Sequence, residues 1–195
     1  MKKIHITGGH ALNGSVRIAG AKNAASKMII ASILTDDKVI LENVPLQSET
    51  DIAQELVHMV GTASVLNDHA LALRTPEIRD NSAMALSRKN RLSILLVAPL
   101  LHRTGSAHVP RLGGDKIGPR PVNFHIEALK KMGAQIEETD DGYRATSKEG
   151  LQGALIELPY PSVGATETII FAGVLAKGRT VIKNCAIEPE IISLI

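Results

Sequence analysis

The chain has 195 residues, of which 44% are hydrophobic and 22% charged, and its formal net charge is +2. This composition is typical of a globular domain, and with two Phe, two Tyr and no Trp its core must be filled by aliphatic side chains. The small net charge, the scattered lysines and arginines and the few aromatic side chains argue against nucleic-acid binding. The single cysteine, Cys185, excludes an internal disulfide and a cysteine-rich metal site.

The sequence also predicts a cytoplasmic protein. The two lysines at the start are not followed by the apolar segment of a secretory signal. The longest apolar run, over 94–101, is far shorter than the ~20 residues that a membrane helix needs. We therefore expect neither a secretion signal nor a membrane span.

Taken in chain order, the predicted elements form an internal repeat of roughly 70 residues. The first copy predicts a buried helix over 22–34, a strand over 38–43, a helix over 51–59 with Thr50 as its N-cap, and strands over 63–65 and 70–73. Gly61 is predicted to end the second of these helices.

The second copy repeats this order. It predicts a helix over 90–102, a strand over 106–109, a Gly-rich loop, a helix over 121–132 that ends at Gly133, and strands over 134–137 and 142–145. A third copy predicts a helix over 164–176, a strand over 180–184 and the start of another helix after 188. Because the third copy lacks its closing strands, we expect a fragment of an α/β fold built from repeated subdomains. A chance similarity between two α/β halves is the alternative.

Three segments carry candidate functional residues. Lys22 and Asn23 precede an apolar helix, where the helix dipole disfavours a lysine unless an anion binds nearby. The alternative is a solvated loop lysine. The Gly-rich loop over 113–121 contains Asp115, a possible proton donor if closure raises its pKa, and Arg120, a possible bidentate anion ligand at a helix start. A polar surface turn would have the same composition.

The third segment, over 162–166, is a turn of small residues into a helix, which could offer N–H groups to a phosphate or serve as an ordinary N-cap. Neither a P-loop nor a dinucleotide-binding spacing is present. The seven histidines lack paired ligand spacing, so we expect no metal site.

These motifs, together with Asn43-Val44-Pro45 and Glu188-Pro189-Glu190-Ile191, resemble those of UDP-N-acetylglucosamine 1-carboxyvinyltransferases in order and spacing. The resemblance runs along the whole chain but covers less than half of a typical family member. It implies an inside-out α/β barrel with two domains of three repeats each. Residues 20–195 would form the N-terminal domain with an incomplete third repeat, and residues 1–19 a segment that packs with the second domain.

The resemblance further implies transfer of enolpyruvyl from phosphoenolpyruvate to the 3′-hydroxyl of UDP-N-acetylglucosamine, the step that commits the sugar to peptidoglycan, without a metal or an organic cofactor. It implies catalytic roles for Lys22, Asp115 and Arg120. The implied substrate-binding residues are Asn23, Arg91, Arg120, Pro121, Val122, Asn123, Phe124, Ser162, Val163 and Gly164. Since the remaining groups belong to the second domain, we expect this chain alone to be inactive.

Two features of the resemblance concern acidic residues. Many members carry cysteine where this chain has Asp115, and Glu49 and Asp51 align with an acidic pair near the active site. Two alternatives stay open: the shikimate-pathway enolpyruvyl transferase, which shares the implied fold, and a non-catalytic remnant that binds a sugar nucleotide or nothing.

Overall fold

The computed structural model of the chain describes residues 3–45, 48–67, 69–78, 80–84, 91–112 and 122–195. The Gly-rich loop over 113–121, and with it Asp115, Arg120 and Pro121, lies outside the described residues. No helix in the described part of the chain is both long and apolar enough to span a bilayer.

The first unit forms a three-stranded antiparallel sheet with two helices. Its elements are α1 (Lys22–Ala31, continued by a 3-10 turn over Ser32–Leu34), β1 (Val39–Leu41), α2 (Ser48–Val60), β2 (Thr62–Asn67) and β3 (Ala70–Arg74). The strand order is β1-β3-β2. All five predicted elements are present, but the expectation that Thr50 caps α2 is wrong. The helix begins at Ser48, and the Thr50 hydroxyl donates to the carbonyl oxygen of Pro45 over 2.9 Å.

The second unit has the strand order β4-β6-β5, again antiparallel. Its elements are a 3-10 helix (Leu92–Leu96), α3 (Val97–Thr104), β4 (Ser106–Pro110), α4 (Asn123–Lys131), β5 (Gln135–Glu138) and β6 (Gly142–Thr146). The single helix predicted over 90–102 is therefore split within its described part. Pro99 gives the reason: it has no N–H to donate, so it fits the third position of an α-helix that starts at Val97 but not the interior of a longer one.

The third unit joins two parallel strands through a helix, which is the usual connection between parallel neighbours. Its elements are β7 (Leu155–Glu157), α5 (Val163–Gly173), β8 (Val181–Lys183) and α6 (Pro189–Leu194). Strand β7 has no counterpart in the sequence-based expectation, because Leu155–Glu157 contains one β-branched residue, whereas the equally short β1 and β8 each contain two. Helix α5 ends at Gly173, three residues before the predicted end at Ala176.

One hydrophobic core joins the three units. Helices α1, α3 and α5 all contribute to it, with α3 packed on α5 and on the 3-10 turn that continues α1. Most of α5 is buried, and in α3 every residue from Val97 to Leu101 is buried. The outer helices cover this centre: α2 and α6 pack on α1, and α4 packs on α5.

Two polar side chains at the end of α3 tie it to the other units. Arg103 donates to the carbonyl oxygens of Ile33 and Thr75, each over 2.8 Å. His102 Nε2 lies 2.8 Å from the carbonyl oxygen of Ala172, near the C-terminal end of α5. The C-terminal ends of α1, α3 and α5 therefore meet, and their N-terminal ends lie together at the opposite side of the core.

We expect Leu100→Ala to destabilise the chain by about 2–5 kcal/mol, because Leu100 is fully buried where α3 meets its neighbours and its truncation leaves a cavity. Urea unfolding followed by circular dichroism measures this loss. The matched control is Leu175→Ala, a leucine with 51% of its surface exposed. Equal losses in the two variants would contradict the central position of α3.

Candidate functional site

The first predicted site segment lies at the start of α1. Lys22 is the first residue of the helix and is exposed, Ala21 before it is extended, and no described side chain caps the helix. The first turn also contains no acidic residue. Because Lys22 and the positive end of the helix dipole have the same sign, this helix start favours a bound anion.

The segment before α1, which contains Gly20, contacts the Asn43-Val44-Pro45 motif after β1. A Cβ on Gly20 would meet the backbone carbonyl group of Asn43, whose carbonyl carbon lies 3.2 Å from that position. Asn43 itself has a φ of 56°, a conformation that asparagine adopts more readily than most residues. Gly20 and Asn43 thus allow the segment before α1 to approach the end of β1.

A polar cluster of four side chains, Asn23, Lys27, Glu167 and Glu190, lies among α1, α5 and α6. Asn23 Nδ2 donates to Glu190 Oε1 over 3.0 Å, and Lys27 Nζ lies 3.9 Å from Glu167 Oε1. Glu167 is almost completely buried, with 3% of its side chain exposed. This cluster fixes the side of α1 that carries Asn23 against α5 and α6.

Glu190 determines how the Asn23 amide is oriented. The pKa of Glu190 is lowered first by its own backbone N–H, then by the Asn23 amide and by the positive charge of Lys27. Its carboxylate is therefore ionised at neutral pH and can only accept hydrogen bonds. Asn23 must then turn Nδ2 toward Glu190, which leaves its Oδ1 directed away from Glu190.

The implied substrate-binding residues over 122–124 and the third predicted segment come together at the starts of α4 and α5, while the second segment lies outside the described residues. Val122 precedes α4, and Ser162 precedes α5, where its Oγ accepts from the N–H of Ala165 over 3.3 Å. A Cβ on Gly164 would lie 3.1 Å from Cε1 and 3.3 Å from Nε2 of His125. The segments over 122–124 and 162–164, which the sequence places far apart, are thus neighbours across the His125 ring.

His125 is buried at this junction. Its Nδ1 lies 2.8 Å from the Oγ1 of Thr168 on α5. Burial, and secondarily the positive charge of Arg91, lowers the pKa of His125 to about 4. The ring is therefore neutral at physiological pH. Arg91, which is half-buried just before the 3-10 helix, belongs to the same region because its charge acts on His125 and on Tyr143.

Helix α5 links the junction to the polar cluster. Gly164 and Glu167 are three residues apart on this helix, so they lie about one turn from each other on adjacent positions of its surface. The described predicted residues thus form two groups joined by α5: Lys22 and Asn23 on one side, and Arg91 with the starts of α4 and α5 on the other. Asp51 lies exposed on α2, and the side chain of Glu49 is outside the described residues.

The sequence profile of the family described as EPSP synthase (3-phosphoshikimate 1-carboxyvinyltransferase) matches residues 6–195. The chain belongs to this family.

Among curated members of the EPSP synthase family, two relatives share the amino-sugar name that the sequence motifs indicate. The UDP-N-acetylglucosamine 1-carboxyvinyltransferase of Chlamydia muridarum is 47% identical over 199 residues, which cover 100% of this chain and 45% of the relative. The enzyme of that name from Idiomarina loihiensis is 46% identical over 197 residues, which cover 100% of this chain and 47% of the relative. The predicted resemblance is confirmed, and the chain spans less than half the length of these relatives.

Solved structures of family members share the fold. The enolpyruvyl transferase NikO from Streptomyces tendae superposes with a TM-score of 0.77 at 20% identity, covering 96% of this chain and 44% of that chain. EPSP synthase from Acinetobacter baumannii superposes with a TM-score of 0.74 at 18% identity, covering 92% and 42%. The chain therefore has the α/β fold of enolpyruvyl transferases, and the predicted α/β class is confirmed.

Two residues that organise the candidate site, Glu190 and His125, were not among those predicted from the sequence. Glu190 belongs to one of the motifs that carry the resemblance, so the sequence could have marked it as a candidate. Its hydrogen bond with Asn23 could not be predicted from the sequence. His125 directly follows the segment over 120–124 and was set aside because no second histidine stands at metal-ligand spacing. Its role depends on contacts with α5, which only the folded chain reveals.

We expect His125→Phe to reduce the acid sensitivity of folding. The pKa of His125 is about 4 in the folded chain and ordinarily 6.5, so between these values the unfolded chain binds a proton that the folded chain does not. The stability of the wild-type chain should therefore fall as the pH drops from about 6.5 toward 4, by at most about 3 kcal/mol from this group. Urea unfolding at several pH values measures the slope. An equally steep slope in the variant would contradict a neutral buried ring.

Proposed function

We propose that the chain is the N-terminal part of a UDP-N-acetylglucosamine 1-carboxyvinyltransferase, which transfers enolpyruvyl from phosphoenolpyruvate to the 3′-hydroxyl of the sugar nucleotide. The observation that carries the proposal is the identity of 47% to a relative of that name across the whole chain. We place this reaction in the cytoplasm, at the committed step of peptidoglycan synthesis.

The proposed architecture is an inside-out α/β barrel of repeated subdomains. It is supported by the identical strand orders β1-β3-β2 and β4-β6-β5 in the first two units. A parallel bridge also joins Ser82 to His108 of β4, and in the third unit β7 likewise pairs parallel with β8. In this proposal residues 20–195 form the N-terminal domain, and residues 1–19 pack with a second domain that closes the site.

The reaction joins two anionic substrates, so cations at helix starts are the groups it needs most. A proton is added to the methylene carbon of phosphoenolpyruvate, and the sugar 3′-oxygen bonds to the adjacent carbon as it loses its own proton. Phosphate then leaves while a proton departs from the new methyl group, which gives the enolpyruvyl ether. This chemistry requires neither a metal nor an organic cofactor.

The chain would supply three groups to these steps. Lys22, exposed at the start of α1, would bind the phosphate and carboxylate of phosphoenolpyruvate and neutralise developing charge. Arg120 would bind phosphate bidentately, and Asp115 would donate the proton to the methylene carbon. Both of these lie outside the described residues. Asn23, held by Glu190, would contact the sugar beside Lys22.

The nucleotide would bind at the second group of residues. Peptide N–H groups at the starts of α4 and α5 suit the phosphates and the uracil carbonyl groups of UDP. Val122, Asn123 and Phe124 would contribute on one side, and Ser162, Val163 and Gly164 on the other. Arg120 and Pro121 would continue the first of these segments, and Arg91 would add a positive charge nearby.

A second candidate is the shikimate-pathway enolpyruvyl transferase, which the family description and the Acinetobacter baumannii structure favour. Both reactions release phosphate from phosphoenolpyruvate, but their acceptors differ. Calorimetric binding of UDP-N-acetylglucosamine and of shikimate 3-phosphate to the chain would separate them. Binding of shikimate 3-phosphate alone would overturn the amino-sugar assignment, and binding of neither would favour a non-catalytic remnant.

We expect Lys22→Ala to reduce kcat/KM by roughly 100-fold or more, because the variant loses a cation proposed to bind the reacting phosphate. Sugar-dependent phosphate release from phosphoenolpyruvate measures it, with the chain supplemented by the C-terminal part of the Chlamydia muridarum relative. Without that part we expect no release. Lys38→Ala, which removes an exposed lysine near β1, is the matched control and should retain wild-type activity. Equal activity of the two variants would remove Lys22 from the mechanism.

Asp115 gives a separate prediction. Fosfomycin inactivates related enzymes by alkylating a cysteine at this loop position, and a carboxyl group is a much weaker nucleophile than a thiolate. We expect mass spectrometry to find no fosfomycin adduct on this chain, whereas Asp115→Cys should be labelled with time when Cys185→Ser removes the other thiol. Covalent labelling of Asp115 in the wild-type chain would show that this loop does not behave as proposed.

A further inference from the structure

His125 touches α5 at two points one helical turn apart. Its Nδ1 lies 2.8 Å from Thr168 Oγ1, and its Cε1 and Nε2 edge occupies the space that a side chain on residue 164 would need. Residues 164 and 168 lie on the same face of α5 because they are four residues apart. The ring, which is the third residue of α4, therefore spans the first turn of α5.

We propose that His125 is a positioning residue for the nucleotide: it holds the first turns of α4 and α5 at one separation, so that free N–H groups of both helices face the same ligand. This inference rests on the proposed function, since the ligand is the UDP part of the sugar nucleotide. His125 was assigned no role by the sequence motifs. It acts through the two helix starts and does not itself react.

The N–H groups at the two helix starts have the properties that this role requires. In α4 the first backbone hydrogen bond is from Ile126 to Val122, and in α5 the first N–H groups with partners are those of Ala165 and Thr166, both bonded to Ser162. Within the described part of the chain, the N–H groups of residues 123, 124, 163 and 164 have no acceptor. A diphosphate or a uracil carbonyl group supplies acceptors for such groups.

A fixed separation matters because the hydrogen bonds weaken steeply when the donor direction changes. Gly164 shows how closely the two helices are fitted, because even a methyl group there would lie 3.1 Å from the ring. The hydrogen bond to Thr168 sets the rotation of the ring, and that rotation decides which edge meets Gly164. Burial lowers the pKa of His125 to about 4, so the ring stays neutral at physiological pH. Its contacts with Gly164 and Thr168 are therefore unchanged over that pH range.

The chain contains a matched control at the other end of the same helix. His102 contacts α5 through Nε2, 2.8 Å from the carbonyl oxygen of Ala172. It is thus a histidine from a different helix that ties α5 by one hydrogen bond, but at the C-terminal end, away from the proposed ligand. His102→Ala removes the same atoms as His125→Ala, so a general loosening of α5 should affect both variants alike.

The test compares His125→Ala, His125→Asn and His102→Ala in the 195-residue chain. UDP binding is measured by isothermal titration calorimetry, with inorganic phosphate as a second ligand. We expect His125→Ala to weaken UDP binding at least about tenfold, because misaligned hydrogen bonds to a charged group are lost. His125→Asn, which can still bond Thr168, should recover part of that loss. His102→Ala should bind UDP like the wild-type chain.

Hydrogen exchange without any ligand gives an independent readout. In His125→Ala, exchange of the N–H groups of residues 126, 165 and 166 should accelerate by roughly tenfold or more, because their helix turns are no longer held together. In His102→Ala the acceleration should instead appear at Val174, which bonds Ile170 at the C-terminal end of α5. This comparison separates local release of the junction from global destabilisation.

The outcomes distinguish the two proposals. If the wild-type chain binds UDP but His125→Ala binds it as well as His102→Ala does, the positioning role is overturned. If the wild-type chain binds no UDP, the nucleotide part of the proposed function fails, and the exchange pattern alone decides whether His125 holds the junction. If His125→Ala does not fold, the comparison of His125→Asn with His102→Ala decides in the same way.

Discussion

The placement of the central helices depends first on Arg103 at the end of α3, which donates to backbone carbonyl groups that their own elements leave without a donor. The last carbonyl groups of a helix have no partner within it, and leaving one buried without a donor costs about 1–3 kcal/mol. Arg103 satisfies Ile33 after α1 and Thr75 after β3, and His102 satisfies Ala172 in α5. Because these acceptors lie near the C-terminal ends of α1 and α5, and Lys27 meets Glu167 nearer their starts, the central helices share a common direction.

This common direction places the functional residues. With the C-terminal ends of the central helices tied together, the starts of α1 and α5 after Ala21 and Ser162 lie on the opposite side of the core, as does the start of the 3-10 helix that leads into α3 after Arg91. The positive ends of several helix dipoles then face one region, which suits a substrate with a diphosphate or phosphate group. Motifs that are separated by roughly 70 residues in the sequence thereby become parts of one candidate site.

The sequence predicted most of this fold because each unit has strong local signals: the apolar run of α1, the β-branched residues of β1 and β8, and the glycines after α2 and α4. It could not show the split before α3 until the donor missing at Pro99 was considered, and β7, with one β-branched residue, lacked the strand signal of the equally short β1 and β8. The motif residues were chosen from their types, their spacing and the family resemblance, and their roles stay predictions. The parts played by Glu190 and His125 could not be predicted. The hydrogen bond between Glu190 and Asn23 and the contact of the His125 ring with Gly164 form only when distant helices pack.

The charge arrangement completes the argument for an anionic ligand. Helices usually carry acidic residues in their first turn to offset the dipole, yet α1, α4 and α5 carry none there. The carboxylates nearby are instead Glu167, one turn inside α5, and Glu190 on α6, where they interact with Lys27 and Asn23. In these positions they interact with side chains of α1 and fix it against its neighbours, and neither carboxylate belongs to the first turn of α1, α4 or α5. A bound phosphate or diphosphate group would supply at these helix starts the negative charge that no side chain of their own first turns supplies.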